Sequence, residues 1–290
     1  MPLHHPLLFL LYMNDITVGI SSFIRLFADD CVRYRVMKGP DDYNELQKDL
    51  DKVAEWCDKW GMSINLDKTV QMCFTRQRSP NVYTYSINGT NLASVHEYKY
   101  LGVYLTPQLC WHRHVNYIIA KAYRVLAMLR RNAKCFPLET RNLLYKTNIR
   151  PILEYACTIW DPWTATDIKK LERVQSLAAR FVVQNYTRYF SASQAEETLG
   201  WNTLQNRRKT FRLKFLHNIY HSKTGLNRDS YIRPPEYTSG RRDHPLKIKE
   251  YRCGTELFRM SFFPKTVSEW NRLPGDVVSL SSNDAFASAV

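Results

Sequence analysis

Two adjacent carboxylates, Asp29 and Asp30, stand between two stretches that have the character of strands. Residues 24–27 are mostly apolar, and residues 32–36 alternate apolar side chains with arginines. Alternation with a period of two is typical of a half-buried strand, so we predict a hairpin with both carboxylates at its tip. Neighbouring carboxylates repel each other, and a divalent cation that prefers oxygen ligands would neutralise them. Asp is also a favoured turn residue, which leaves a purely structural role open.

Several stretches resemble reverse transcriptases, in the version found in non-LTR retrotransposons. Residues 27–30 look like the aromatic-Ala-Asp-Asp box of that family. Four further matches follow the family's order: residues 6–16 resemble the palm helix before the box, 61–69 the next motif with its Asn and Lys, 98–103 the hairpin that grips the primer end, and 149–156 with 171–175 the region after the palm in jockey-like elements. Five ordered matches carry far more weight than one tetrapeptide.

The resemblance implies nucleotidyl transfer by two metal ions. It assigns Asp29 and Asp30 as metal ligands and catalytic residues, with Mg²⁺ or Mn²⁺ as the cofactor. It places Lys68 near the leaving pyrophosphate, where a cation could donate a proton as the bond breaks. A lone lysine after a turn is otherwise an ordinary surface residue.

The same resemblance implies a primer grip at Tyr100, Leu101 and Gly102. A glycine in this hairpin would permit close approach of a sugar-phosphate backbone. The implied partners are an RNA template and a DNA primer, with deoxynucleotides as substrates.

In the family, fingers and a strand with a first catalytic Asp precede the palm helix, whereas residues 1–5 stand in that place here. We therefore expect a truncated polymerase that binds its metal weakly and is inactive as an isolated chain. Two alternatives stay open: a catalytically dead, basic nucleic-acid-binding remnant, and a protein-interaction module built on the helical half.

The charge is unevenly distributed along the 290 residues. The net charge is +14, yet residues 1–110 hold 11 basic and 12 acidic side chains, and the remainder holds 30 and 15. A basic excess confined to one part of a chain points to a polyanionic partner such as nucleic acid. A solvated basic surface without a partner is the alternative.

The pattern becomes helical from Trp111 onward, with apolar residues at intervals of three and four. Basic residues line the other faces of two of these helices: Lys121, Arg124, Arg131, Lys169, Arg173 and Arg180. The resemblance implies a thumb that holds a template-primer duplex, and such cations suit contacts to phosphates, which position without reading sequence. Ordinary helical surface charge is the alternative.

The predicted fold class is α+β. Residues 1–105 are expected to form a truncated polymerase palm, a small antiparallel sheet with covering helices, in which Asn88-Gly89 marks a hairpin turn. Residues 106–222 are expected to form an all-helical, thumb-like domain, and residues 223–290 a basic connector and an irregular aromatic tail. Seven cysteines without paired spacing indicate reduced thiols in an intracellular protein of the nucleus or cytoplasm, and no segment is long enough to span a membrane.

Overall fold

The computed structural model describes residues 4–81, 83–240 and 243–290 as a mixed α+β protein. They form two compact units. The first unit holds the described residues up to 100 together with residues 105–109, and the second holds residues 101–104 and the described residues from 110 onward. In the described ranges every strand lies within the first 105 residues, and helices follow.

Helix α2 (Pro40–Lys59) is the centre of the first unit. It begins after Gly39, whose backbone N–H donates to Asp42 Oδ2 at 3.2 Å, so that the carboxylate satisfies a group the helix leaves open. It ends before Gly61, which has a φ of +66°. This left-handed conformation closes helices readily because glycine has no Cβ to clash.

Two apolar clusters pack against α2. Helix α1 (His4–Tyr12) and a 3₁₀ turn (Asn14–Thr17) lead into the first cluster. The buried members are Met13, Ile16, Val53 and Cys57 in the first cluster, and Ala54, Ile87 and Leu92 in the second. The helix therefore joins the chain before the carboxylate hairpin to the short strands that follow it.

The strands of the described residues pair two by two. The ladders are β1 (Phe23–Phe27) with β2 (Asp30–Tyr34), β3 (Val70–Gln71) with β6 (Ala93–Ser94), β4 (Ser86–Ile87) with β5 (Thr90–Asn91), and β7 (Tyr98–Tyr100) with β8 (Val103–Leu105). The β3–β6 ladder is parallel. This corrects the single antiparallel sheet that we predicted: the described strands form four separate two-stranded ladders.

The turn between β4 and β5 has the backbone conformation that its sequence favours. Asn88 and Gly89 have φ angles of +49° and +77°, and Ser86 pairs with Asn91. Two central residues with positive φ define the type I′ turn that Asn-Gly favours. The predicted hairpin is confirmed.

The second unit is built from helices. They are α3 (His112–Asn132), α4 (Leu138–Leu144), α5 (Arg150–Glu154), α6 (Cys157–Trp160), α7 (Ala165–Val183), α8 (Ala192–Thr198) and α9 (Leu204–Tyr220), with a π turn (Tyr145–Ile149) between α4 and α5. The apolar stripe of α3 is buried at Val115, Ile118, Ile119, Ala122, Leu126 and Leu129. None of the helices in the described ranges has the length and apolar composition that crossing a membrane requires.

The C-terminal part is not irregular, which corrects our prediction. It contains α10 (Glu256–Arg259), α11 (Phe262–Trp270), α12 (Gly275–Val278) and α13 (Asn283–Ala289). Val267, Trp270, Val278 and Phe286 share one core with Leu213 of α9. These short helices are stabilised by packing against the apolar face of α9. Because Leu213 lies more than 50 residues before Val267 in the chain, local periodicity does not predict this contact.

Candidate active site

The carboxylate hairpin is the candidate active site. Phe27 pairs with Asp30, so two residues, Ala28 and Asp29, connect β1 to β2. The hairpin and the position of both carboxylates at its tip are confirmed. Ala28 has a φ of +51°, a left-handed conformation that costs a non-glycine residue about 1–2 kcal/mol. Asp29 and Asp30 are exposed, and neither carboxylate has a hydrogen bond or ion pair with the described residues.

Asp49 of α2 fastens the base of this hairpin. Its side chain is 1% exposed and accepts hydrogen bonds from the backbone N–H of Ser22 at 2.7 Å and from Ser21 Oγ at 2.9 Å. Burial alone would raise the pKa of Asp49, but the polar groups of Ser22 and Ser21 outweigh it and lower the pKa to about 2. The residues that lead into β1 are thus held on α2 by a buried, ionised carboxylate.

Arg33 of β2 and Arg35, which follows the strand, attach this segment to the same helix. Arg33 donates to the backbone carbonyl of Asp49, and Arg35 Nε lies 2.9 Å from Asp42 Oδ1. Tyr34 and Val36 are exposed instead, at 42% and 65%. The alternation correctly predicted a strand, but the face turned towards α2 carries the arginines, because α2 presents oxygen acceptors there.

Tyr100, predicted as part of a primer grip, lies within electrostatic range of the hairpin. Burial raises the pKa of the Tyr100 hydroxyl, and the negative charge of Asp30 raises it further. The first unit therefore brings a phenol from β7 towards one of the two carboxylates.

Leu101 and Gly102, the other predicted grip residues, form the turn between β7 and β8. Their φ angles are +44° and +84°, and a leucine adopts such a φ only with strain. Tyr155 Oη donates a 3.0 Å hydrogen bond to the carbonyl oxygen of Leu101. A Cβ on Gly102 would lie 3.1 Å from Tyr155 Cε1. A tyrosine ring from the helical unit thus occupies the space beside Gly102.

Lys68 is exposed in a turn that Asn65 organises. The amide of Lys68 donates to Asn65 Oδ1 at 3.1 Å, and Thr69 Oγ1 donates to Asn65 O at 2.8 Å. Within the described residues, no hydrogen bond or ion pair joins its ammonium group to Asp29 or Asp30. Its assignment to the leaving group stays a prediction.

Sequence reasoning missed two residues that position the site, Asp49 and Tyr155. Asp49 had a signal: it lies at helical spacing among the inward-facing Leu46, Leu50 and Val53, where a charged residue is unexpected unless it has partners. Tyr155 had none, because its contacts with residues 101 and 102 span more than 50 positions.

The chemistry of Asp29 and Asp30 fits a hard divalent cation, since both present unengaged carboxylate oxygens. Mg²⁺ and Mn²⁺ both accept such donors. Asp15, the acidic residue before the hairpin, is engaged elsewhere because it accepts a 3.0 Å hydrogen bond from Trp56 Nε1. No three His, Cys, Asp or Glu side chains converge into a metal cluster in the part of the chain that the structure describes.

Of the six predicted nucleic-acid-binding cations on α3 and α7, five are exposed and have no hydrogen bond or ion pair with described residues: Lys121, Arg124, Arg131, Lys169 and Arg173. Arg180 differs, because its guanidinium donates to the carbonyls of Thr187 and Phe190 at 3.0 and 2.9 Å. Five of the six are therefore available for an external anion, and the sixth holds a loop.

The arginines of α9 lie inside the second unit. Arg208 and Arg212 are 0% and 3% exposed, and both bind Asp161, through Nε atoms 2.8 and 3.0 Å from its oxygens. Lys265 Nζ reaches the same carboxylate at 2.6 Å, and Arg212 also pairs with Glu269 at 2.9 Å. Part of the basic excess after residue 110 is consequently neutralised internally.

Residues 5–105 match the model of the family "Reverse transcriptase (RNA-dependent DNA polymerase)". The chain is 30% identical over 192 residues to a probable RNA-directed DNA polymerase from transposon X-element of Drosophila melanogaster, covering 61% of this chain and 20% of that protein. It is 33% identical over 178 residues to the RNA-directed DNA polymerase from mobile element jockey of Drosophila funebris, covering 58% and 17%.

A third relative, a probable RNA-directed DNA polymerase from transposon BS of Drosophila melanogaster, is 26% identical over 141 residues, covering 47% of this chain and 16% of that protein. The chain spans about a fifth of the length of the relatives it matches. The family match contains the carboxylate hairpin, the turn of Lys68 and strand β7. Residues 5–105 therefore belong to the reverse transcriptase family, in the form carried by jockey-like non-LTR retrotransposons.

Proposed function

We propose that this chain is the part of a retrotransposon reverse transcriptase that supplies two metal-binding carboxylates and a surface for the template-primer duplex. Residues 1–105 would form part of the palm, and the helices of residues 106–222 a thumb-like surface. One observation supports this most: Asp29 and Asp30 stand exposed and unengaged on a hairpin that the buried Asp49 fastens to α2.

Asp29 and Asp30 would hold Mg²⁺ or Mn²⁺, which in polymerases activates the attacking hydroxyl and stabilises the leaving phosphate. Arg33, Arg35 and Asp49 hold the hairpin on α2, and charges held in place need little reorganisation during the reaction. Lys68 would place a proton donor at the leaving group. Tyr100, Leu101 and Gly102 would position the primer end, with Tyr155 holding the turn in shape.

Two carboxylates are fewer than a two-ion site requires, and Mg²⁺ gives up its water reluctantly. We therefore propose that the isolated chain binds its metal weakly and does not polymerise, and that a carboxylate from outside these residues completes the site in an active polymerase. Lys121, Arg124, Lys169 and Arg173 would contact phosphates without reading sequence.

A chimera tests the catalytic assignment. Residues 5–105 would replace the matching segment of the Drosophila funebris jockey polymerase, and extension of a primed RNA template with Mg²⁺ would be measured. We expect the chimera to extend the primer and Asp29→Asn to abolish extension, with the exposed Asp51→Asn of α2 as the matched control. Extension that survives Asp29→Asn would refute the catalytic role of this residue.

The chain by itself tests the binding assignment. Its affinity for an RNA–DNA duplex should fall steeply with salt, because bound phosphates release counterions. Replacing Lys121, Arg124, Lys169 and Arg173 by Gln should flatten the dependence of log K on log salt by roughly 4 × 0.9 units if each binds one phosphate. Lys214→Gln, which removes a cation paired with Asp284, is the control. A salt-independent affinity would contradict the assignment.

A further inference from the structure

The loop between α7 and α8 exposes aromatic side chains among cations. We call residues 185–190 the tyrosine loop. Tyr189 is 96% exposed and Tyr186 is 56% exposed, although large aromatic side chains are usually buried well beyond this. Tyr189 has no ring contact with any described residue. An aromatic face left open to water in a basic region is a feature of surfaces that stack nucleobases.

The loop is held in shape by neighbouring helices. The Arg180 guanidinium donates to the carbonyls of Thr187 and Phe190 on either side of Tyr189, and its Cζ lies 5.4 Å from the centre of the Phe190 ring. Gln184 donates to the carbonyl of Lys134 just after α3. Since the backbone is fixed before any ligand arrives, little further ordering would oppose binding.

The surroundings of the loop are cationic. Arg130 at the end of α3 lies with its Cζ 5.5 Å from the centre of the Tyr186 ring, within the range of a cation–π contact. Residues 121–138 contain five basic and no acidic side chains, and residues 173–195 contain three basic and no acidic ones. Arg188 lies in the loop itself, the carbonyl of Lys134 accepts the hydrogen bond from Gln184, and Arg131 follows Arg130 in α3; all three side chains are exposed. These cations complement a phosphate backbone, and no carboxylate in these stretches competes for them.

We propose that the tyrosine loop binds single-stranded RNA or DNA, with Tyr189 stacking on one base and Arg131, Lys134 and Arg188 contacting the flanking phosphates. This binding mode extends the proposed function, because it adds a site for an unpaired strand to the duplex-binding surface. Stacking is tolerant of sequence because every base has a π face. A rigid aromatic beside cations favours this occupant over a membrane surface, which requires an apolar face.

The test uses the full chain and labelled oligo(U) and oligo(dT) of about 20 nucleotides, with an RNA–DNA duplex of the same length. Tyr189→Ala should weaken binding of the single strands about tenfold and leave duplex binding within about twofold. Tyr189→Phe, which keeps the ring, should bind as the parent does. The matched control is Tyr237→Ala, since Tyr237 is 79% exposed elsewhere in the same unit. Arg188→Gln should reduce the slope of log K against log salt for the single strands by about 0.7, the value for one phosphate contact on a single strand.

The inference would be overturned if Tyr189→Ala left the affinity for single strands unchanged, or if Tyr237→Ala lowered that affinity equally. It would also be overturned if Tyr189→Ala weakened binding to the duplex, or to phosphatidylserine vesicles, as much as binding to single strands. Stronger binding of oligo(U) or of oligo(dT) would identify the preferred strand, and either supports the proposal. If the chain binds the duplex but its affinity for the single strands does not change with Tyr189→Ala, the inference is refuted and the duplex-binding assignment stands. Tyr189-dependent single-strand binding without duplex binding would support the inference and refute the duplex-binding assignment.

Discussion

The hydroxyl of Tyr155 donates a 3.0 Å hydrogen bond to the carbonyl oxygen of Leu101. The same ring lies where a side chain on Gly102 would have to go, with Cε1 3.1 Å from an ideal Cβ. Leu101 and Gly102 both have positive φ angles. The turn therefore depends on glycine for its backbone conformation and for the space that the ring occupies.

Gly102→Ala should destabilise this turn by about 1–2 kcal/mol, because alanine is strained at a φ of +84° and its methyl group would crowd Tyr155. Hydrogen exchange of the amides in residues 98–105 measures the effect locally, since a chain of two compact units need not unfold in one step. Adding Tyr155→Ala should remove the crowding and leave the backbone strain. Gly225→Ala is the control, because its Cβ would meet open space. Equal exchange in Gly102→Ala and Gly225→Ala would contradict the explanation.

Asp49→Asn should destabilise the first unit at neutral pH. The carboxyl pKa is about 2 in the fold against 3.8 for the free side chain, and this difference corresponds to about 2 kcal/mol. Because folding lowers this pKa, the ionised Asp49 carboxylate stabilises the unit fully above pH 3.8. This stabilisation is lost as the pH falls towards 2. Chemical denaturation from pH 7 to pH 2 should show a smaller loss in Asp49→Asn than in the parent, because Asp42, whose pKa its backbone and arginine partners also lower, still titrates in the variant.

Asp51→Asn is the matched control for that series, because Asp51 lies exposed on the same helix and only bonds the side chain of Gln47. It should keep the pH dependence of the parent. If Asp49→Asn keeps the dependence as well, the ionised carboxylate is not what holds residues 21 and 22 on α2.

Much of the fold follows from local patterns. Residues that act on near neighbours, such as Asn88-Gly89 in its turn and the α3 stripe, adopt the structures their sequence predicts. The position of Asp29 and Asp30 at a hairpin tip also follows, because apolar and alternating residues flank them.

Where burial of a side chain depends on a partner distant in sequence, it could not be predicted. Arg33 of β2 and Arg35 just after it turn towards α2 because this helix offers oxygen acceptors, so the face of the segment that carries the arginines is the packed one. Arg208 and Arg212 belong to the basic excess after residue 110, yet both are buried because they pair with Asp161, some 50 positions away. Periodicity identifies a helix or strand but not which neighbour will satisfy its polar groups.

Asp161→Asn should destabilise the second unit strongly, by about 3–5 kcal/mol, because Arg208 and Arg212 would remain buried without their shared carboxylate. Burial raises the pKa of Asp161, but Lys265, Arg212 and Arg208 outweigh it and lower the pKa overall. The stabilisation is therefore present at neutral pH and declines in acid. Asp284→Asn, which breaks the exposed pair with Lys214, should have little effect on urea unfolding. Similar unfolding of both variants would show that the buried network does not hold α9 in place.

Asp29→Asn should leave the melting temperature unchanged or raise it slightly. Asp29 and Asp30 are adjacent, exposed and without a hydrogen bond or cation among the described residues, so removing one charge relieves repulsion and breaks no contact. Calorimetric titration should show weak Mg²⁺ binding by the parent and a further loss in Asp29→Asn. Asp67→Asn, an exposed carboxylate on another turn of the same unit, should change neither quantity. A marked fall in melting temperature with Asp29→Asn would mean that this carboxylate stabilises the fold. Its position at the hairpin tip would then reflect a structural role and not a catalytic one.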